Sequence, residues 1–214
     1  MRNFSVLFIF SCAILSTSFA PPPKVKINFY QKQTIYIQPL GEVSPEYLSY
    51  TQKAIENFYG YDVVIKPTLP LTTDILANSG VRYEASKILD KYDSDKITVI
   101  ITCVDIAHYK NEKSPEWGVF GLGKLGGKVC VVSTFRLTGK LKILPQKTEK
   151  KNLLIRLEKV VLHEIGHNLG LEHCTNNKEC MMNDANGTIK QLDSEKIWFC
   201  PKCAKFTTKI KPPQ

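Results

Sequence analysis

Apolar positions along the chain change their period several times, and each change marks an element. From Thr34 to Leu40, Ile35 and Ile37 alternate with polar neighbours and Leu40 ends the run, as in a strand. Ser44-Pro45 then opens a helix, with Ser at the N-cap and Pro at the first helical position. Leu48, Ile55, Phe58 and Tyr59 recur at helical spacing, and Gly60 closes the segment. Tyr61 to Ile65 reads as a second strand, and Tyr83 to Tyr92 as a second helix with Ala85, Ile88 and Leu89 facing inward. Ile97 to Val104 is a continuous β-branched run, the mark of a strand buried on both faces, and Val129 to Phe135 is another strong strand. Between them, Gly118 to Leu125 is Gly-rich and alternates only weakly. A polar, Lys-rich linker from Lys140 to Lys151 leads into a long helix, Asn152 to Leu169. Its inward side carries Leu154, Leu157, Val161, Ile165 and Leu169.

Strands that alternate with helices in this order predict an α/β fold, a mostly parallel sheet with helices on its faces. The first twenty residues stand apart. A basic start at Arg2, an apolar stretch from Phe4 to Leu15 and small residues at Ser18 and Ala20 fit a secretory signal peptide cleaved near Ala20. The stretch is shorter than the ~20 apolar residues that a spanning helix needs, so an uncleaved anchor is the alternative and not the leading reading. The expected organisation is a signal peptide over 1–20, a spacer over 21–33 that begins with Pro21-Pro22-Pro23, and one domain over 34–214. The mature protein is expected to be secreted or periplasmic.

Composition narrows the picture only a little. With 43% hydrophobic and 23% charged residues in 214, the chain is neither disordered, collagenous nor coiled-coil. A formal charge of +9 points to acidic partners but does not bear on the fold. Histidine changes the picture. Of four His, three fall between positions 163 and 173, in the string His163-Glu164-Ile165-Gly166-His167 followed by Asn168-Leu169-Gly170-Leu171-Glu172-His173.

Residues four apart share one helix face, so His163 and His167 can grip a single metal ion. On a continuing helix His173 would lie about 15 Å further along the axis and roughly 280° around it. The chain must therefore stop and turn back, and Gly170 is the residue that permits a left-handed turn at low cost. Three His with an open fourth position make a catalytic rather than a structural zinc site. Glu164 is then placed to take a proton from a metal-activated water rather than to bind the ion.

Cysteine gives a second cluster. Cys174 follows the third His directly, Cys180 comes after five more residues, and Cys200-Pro201-Lys202-Cys203 closes the set. Two close pairs about twenty residues apart have the spacing of a four-Cys zinc site, with disulfides as the alternative in an exported chain. Trp198 and Phe199 would form the small apolar core of this subdomain. Cys103 and Cys130 fall in predicted strands and read as plain buried thiols. His108 and Tyr109 read as an exposed loop that could border a cleft.

With residues 163 to 203 in view, the chain resembles the archaemetzincin family of metzincin metallopeptidases. The matching string is H-E-I-G-H-N-L-G-L-E-H-C, then C-M-M, then seventeen residues, then C-P-K-C. Weaker likeness extends upstream through Arg82-Tyr83, Ile101 to Asp105, Phe120-Gly121 and Val131 to Leu137. The resemblance implies a metzincin-like α+β domain: a mixed, mostly parallel sheet with an antiparallel edge strand, a long active-site helix, and a small C-terminal zinc-binding subdomain at 174–203. It implies that His163, His167 and His173 bind a catalytic zinc, that Glu164 is the general base, and that Cys174, Cys180, Cys200 and Cys203 hold a structural zinc. The count would be two Zn2+ per chain. In the family a Met lies in a turn beneath the catalytic metal, and Met182 takes that place. The same likeness makes Gly118 to Leu125 the antiparallel edge strand above the cleft, where an extended peptide could add as a further strand.

The expected activity is zinc-dependent hydrolysis of peptide bonds by metal-activated water with a Glu base. A catalytically silent zinc protein that only recognises peptides would keep every ligand and is the alternative. A nucleic-acid finger is disfavoured because the basic residues are scattered and export removes the usual partner. The partners expected are a peptide or protein substrate, no nucleic acid and no lasting membrane span, with the chain a monomer.

Overall fold

Strand β4 (Thr98–Thr102) has no exposed residue, and the rest of the chain is layered about it. The computed structural model describes residues 34–138 and 147–205. The leader and spacer over 1–33 and the linker residues 140–146 lie outside the described residues. With β1 (Thr34–Leu40), β2 (Asp62–Ile65), β7 (Gly121–Gly123) and β8 (Val129–Ser133), β4 forms a five-stranded sheet in the order β2-β1-β4-β8-β7. The first four strands are parallel, and β7 runs antiparallel at the edge, pairing Gly121 with Val132 and Gly123 with Cys130. This is the mixed, mostly parallel sheet with an antiparallel edge that the family resemblance implies, but the edge strand covers Gly121–Gly123 rather than Gly118 to Leu125, because Gly118 pairs in a second sheet.

Alternate side chains of the sheet feed two cores. Val99, Ile101, Ile35 and Ile37 pack beneath α1 (Pro45–Tyr59) and α3 (Lys147–Asn168). Ile100, Leu40 and Val131 face the other way, onto Ile88 and Leu89 of α2 (Ala85–Lys91). Covering both faces is what a parallel sheet requires, and it accounts for the unbroken apolar run of β4. Helix α1 ends where expected: Gly60 has φ 69° and its N–H bonds the Glu56 carbonyl at 3.0 Å. Its start differs in detail. Ser44 sits at the N-cap position, but its hydroxyl makes no capping bond.

Three other expectations are corrected. The second helix begins at Ala85, because Tyr83–Glu84 (β3) is drawn into pairing with Ile106–His108 (β5). With Trp117–Gly118 (β6), which pairs antiparallel to β5, these make a small second sheet that periodicity over two or three residues could not reveal. Helix α3 reaches back to Lys147, so the end of the Lys-rich linker is helical. Its buried stripe is also wider than one side. Leu153, Leu157, Val160, Val161, Leu162 and Ile165 are all buried, whereas Leu154 is half-exposed. The sheet covers one side of α3 and α1 another, with the Tyr59 hydroxyl donating to the Leu162 carbonyl at 2.7 Å.

The Cys-rich segment has no separate core. Phe199 packs edge-on to Phe58 of α1, with ring centroids 5.2 Å apart, and belongs to the same cluster as Val99 and Leu157. Trp198 packs half-buried against that cluster. Two short helices, α4 (Ile189–Ser194) and α5 (Pro201–Ala204), complete this end. Cys130 is fully buried in β8, and Cys103 lies just past β4, partly exposed. No helix among the described residues is long and apolar enough to cross a membrane.

Because Phe199 is shared with the main core, Phe199→Ala should cost the whole domain about 3–5 kcal/mol in chemical denaturation at saturating zinc. An independent subdomain would leave the main transition within about 1 kcal/mol of wild type.

Candidate metal centre

The turn that the third His needs is formed at Gly170. This residue has φ 91°, its N–H bonds the His167 carbonyl, and the Leu171 N–H reaches back to the Gly166 carbonyl, both at 2.9 Å. That pair of bonds is a Schellman reversal, in which a residue of left-handed conformation ends the helix. It returns the chain so that His173 Nε2 lies 3.3 Å from His167 Nε2. One ring nitrogen from each of His163, His167 and His173 falls within 4.8 Å of the others.

Each helical His is oriented by a backbone carbonyl. His163 Nδ1 lies 2.7 Å from the Met181 carbonyl, and His167 Nδ1 lies 2.7 Å from that of Leu171. A carbonyl oxygen can only accept, so both Nδ1 atoms carry the proton and both Nε2 lone pairs are left for a metal. Burial, then the neighbouring His167, pushes His163 down to about 3, and burial also lowers His167. Both rings are therefore neutral at physiological pH, the form that ligates. The donor set fits zinc: three imidazoles converge on the solvent side and offer an open position.

Met182 is fully buried. Its Sδ lies 2.6 Å from where a Cβ on Gly166 would stand, so it packs against the backbone of the His163–His167 turn. Gly166 was not singled out in the sequence. A glycine inside a helix costs roughly 1 kcal/mol and so implies a packing reason; here it is the thioether.

Glu164 points to the other side of the turn. Its side chain is 7% exposed and lies against β7: a Cβ on Gly121 would come within 2.7 Å of its Oε1, and one on Gly123 within 3.1 Å of its Oε2. Burial pushes the carboxyl up to about 8, against a hydrogen bond from the Gly123 backbone N–H. The i, i+2 spacing of these glycines on a strand was the available sign that one strand face must stay bare. Two ties hold β7 against α3. Asn168 Nδ2 donates to the Lys124 and Val129 carbonyls, and the Gly126 N–H bonds the His167 carbonyl at 2.8 Å.

The four cysteines also converge. Their Sγ atoms lie within 4.8 Å of one another, all buried, and Cys174 and Cys200 are 3.6 Å apart. A disulfide needs about 2.05 Å, whereas two thiolates on one tetrahedral zinc sit roughly 3.8 Å apart. Burial opposes ionisation of Cys174, yet the N–H groups of Asn176 and Asn177 and the neighbouring thiols bring it down to about 7. The backbone N–H of Cys200 donates to Cys180 Sγ at 3.3 Å. This set has the geometry of a four-thiolate zinc site.

The His cluster opens into a cleft of about 620 Å³. His108 and Tyr109 border it together with Trp117, Gly121 and Leu125, and Tyr109 is exposed as expected of this segment. Residues 77–209, which include all seven ligand candidates and Glu164, match peptidase family M54. The chain belongs to that family. M54 relatives include an archaemetzincin of Archaeoglobus fulgidus, 32% identical over 79% of this chain and 96% of its own length. Another, from Methanocaldococcus jannaschii, is 33% identical over 80% of this chain and 90% of its own. The crystal structure of the A. fulgidus archaemetzincin complexed with malonate superposes with a TM-score of 0.69 at 29% identity, covering 81% of this chain and 99% of the other. Membership makes this M54 protein a zinc metallopeptidase, a hydrolase whose substrates are peptides.

Gly121→Ala places a methyl group against the Glu164 carboxylate and, on the expectation that Glu164 is the general base, should lower kcat on the order of 10²-fold with zinc content and fold unchanged, because ångström-scale displacement of a reacting group costs about that much. Activity within twofold of wild type would show that β7 does not position Glu164.

Proposed function

We propose that the cleft hydrolyses peptide bonds with Glu164 as general base, with one zinc at His163, His167 and His173 and a second at Cys174, Cys180, Cys200 and Cys203. The observation that carries the reading is the placing of Glu164: one residue from a zinc-fitting His, walled in by two glycines, and open to the cleft. Zinc on the three imidazoles supplies a Lewis acid that polarises a scissile carbonyl and acidifies water.

The remaining work belongs to the chain. Glu164 takes the proton of the attacking water and returns it to the leaving amine as the C–N bond breaks, so the carboxylate is regenerated each turnover. The glycine faces of β7 and the N–H of Gly123 hold that carboxylate in one orientation. The outer edge of β7 ends the sheet order, so an extended peptide can add there as a strand and be oriented by backbone bonds. The carbonyls of Met181 and Leu171 fix the two helical imidazoles, and Met182 supports the turn beneath them. The four Cys hold the segment that carries the Met181 carbonyl, so the second zinc has a structural part. Export with cleavage near Ala20 completes the reading and rests on the basic, apolar and small residues of 1–20.

Glu164→Gln should retain both zinc ions and lose about 10²–10⁴-fold in kcat. Full hydrolysis by that variant would sink the mechanism. Native mass spectrometry of the intact chain should find two zinc ions with all four thiols unoxidised. One zinc with a mass loss of four hydrogens would replace the Cys site by two disulfides.

A further inference from the structure

One buried carboxylate in the cleft is not used by this reaction. Where α3 and α4 meet, the cleft is lined by Val160, His163 and Leu192, and Glu195 follows directly on α4. This part of the wall is tightly braced. The Lys159 ammonium, itself buried, donates to the Leu192 carbonyl at 2.8 Å and the Asp193 carbonyl at 3.3 Å. Arg156 grips the Asp193 carboxylate through two bonds of 2.7 Å.

Glu195 lines the cleft yet is only 4% exposed. One of its oxygens receives a long 3.4 Å bond from Gln191, and the other has no hydrogen-bond partner among the described residues. No ion pair among the described residues reaches it. Burial pushes its carboxyl up to about 7, with the Lys159 charge pulling the other way and Asp184 adding to the rise. A buried carboxylate without an ion-pair partner is costly, and the cations of this wall are committed elsewhere: Lys159 to two carbonyls, Arg156 to Asp193 and Lys196 to Glu179.

Most other charged side chains of the cleft have the same sign. Besides Glu164 and Glu195, its lining includes Glu172 and Asp184, against a single ammonium, Lys110, which lies over the Trp117 ring at 4.2 Å. An acid-lined cleft in a chain of formal charge +9 is a local inversion of the overall field.

We propose that Glu195 is a specificity-determining residue: the α4 end of the cleft receives a Lys or Arg side chain of the peptide, whose cationic head pairs with Glu195 while its methylenes lie along Val160 and Leu192. Long basic side chains suit such a site, apolar along the stem and charged at the tip. The pairing supplies the counter-charge that the fold withholds, and a site built this way rejects analogues that cannot make the bond.

The inference rests on the peptide reading of the cleft, so binding and turnover are measured separately. Binding is read on zinc-loaded Glu164→Gln protein, where hydrolysis does not deplete the ligand. Fluorescent peptides carrying Lys, Arg, norleucine or Glu at one scanned position are titrated by anisotropy. At one position Lys and Arg should bind about tenfold tighter than norleucine, with Glu weaker than norleucine, and adding Glu195→Gln should shrink that spread to about twofold. Equal binding of Lys and norleucine at every position, or a preference that survives Glu195→Gln, overturns the inference. Should the double variant fail to fold, the ranking on Glu164→Gln alone decides, since the proposal requires a basic preference there. In the wild-type enzyme the same ranking should appear in kcat/KM. Absence of hydrolysis of every peptide would instead remove the peptidase reading and leave the binding ranking to decide the role of Glu195.

Discussion

The reversal at Gly170 is the constraint on which both metal sets depend. Without it α3 would carry His173 and Cys174 away from their partners, since each further residue advances a helix by about 1.5 Å. The left-handed φ of 91° lets the chain fold back at a cost that residues with a Cβ would feel. One consequence is that His173 joins His167. The next is that Cys174, its chain neighbour, is buried beside Cys200 and bonded through its N–H to the Met182 carbonyl at 2.7 Å. One turn thus delivers a candidate ligand to each cluster in successive residues.

That adjacency makes the two clusters mechanically one structure. The Met181 carbonyl that orients His163 lies one residue after Cys180, and the Met181 N–H is in turn held by the Trp198 carbonyl at 3.1 Å. Phe199, next in sequence, anchors the same segment in the main core against Phe58. An imidazole on α3 is therefore aimed by a backbone that the thiols and an aromatic ring hold in place. Orientation of this kind from the outer shell is what sustains metal affinity and geometry.

Much of this was legible in the sequence, for reasons that differ by element. The strands buried on both faces and the ends of α1 were clear because hydrophobic period and cap residues act locally. His163, Glu164, His167 and Gly170 were clear because helical geometry converts their spacing directly into position. The thiols were legible as a set, though spacing alone left zinc and disulfides open. Gly121, Gly123 and Gly166 show where local reasoning stops. Each is a glycine because of an atom far away in sequence, a Glu164 oxygen for two of them and the Met182 sulfur for the third. The small sheet of β3, β5 and β6 was hidden for a related reason: its strands are too short for a period and exist only through pairing. The boundary at Tyr83 moved for the same cause, tertiary pairing outweighing local helix propensity. Glu195 had no mark at all, since nothing near it in the sequence reveals that it is buried.

The far wall of the cleft is secured by different physics. Asp105 is held by Arg136 through two bonds, Nε to Oδ1 at 2.6 Å and Nη2 to Oδ2 at 2.9 Å, and by Arg82 Nε at 2.9 Å. Arg82 continues to the Glu116 carbonyl at 2.7 Å, immediately before β6. The Arg136 guanidinium fills the space where a Cβ on residue 118 would stand, so Gly118 lets β6 close over it without displacing the clamp. Ile106 and Ala107 of β5 are buried, Ile106 in the core shared with α2, but at the rim Tyr109 and Trp117 are both exposed to solvent. A forked, partly buried ion cluster is directional where apolar packing is not, and it fixes a thin sheet without needing a core of its own. The two walls of the cleft are thus built by opposite means: α3 and β7 by dense packing around bare glycines, β5 and β6 by a charged clamp. The first keeps Glu164 beside the imidazoles. The second leaves Tyr109 and Trp117 exposed at the rim.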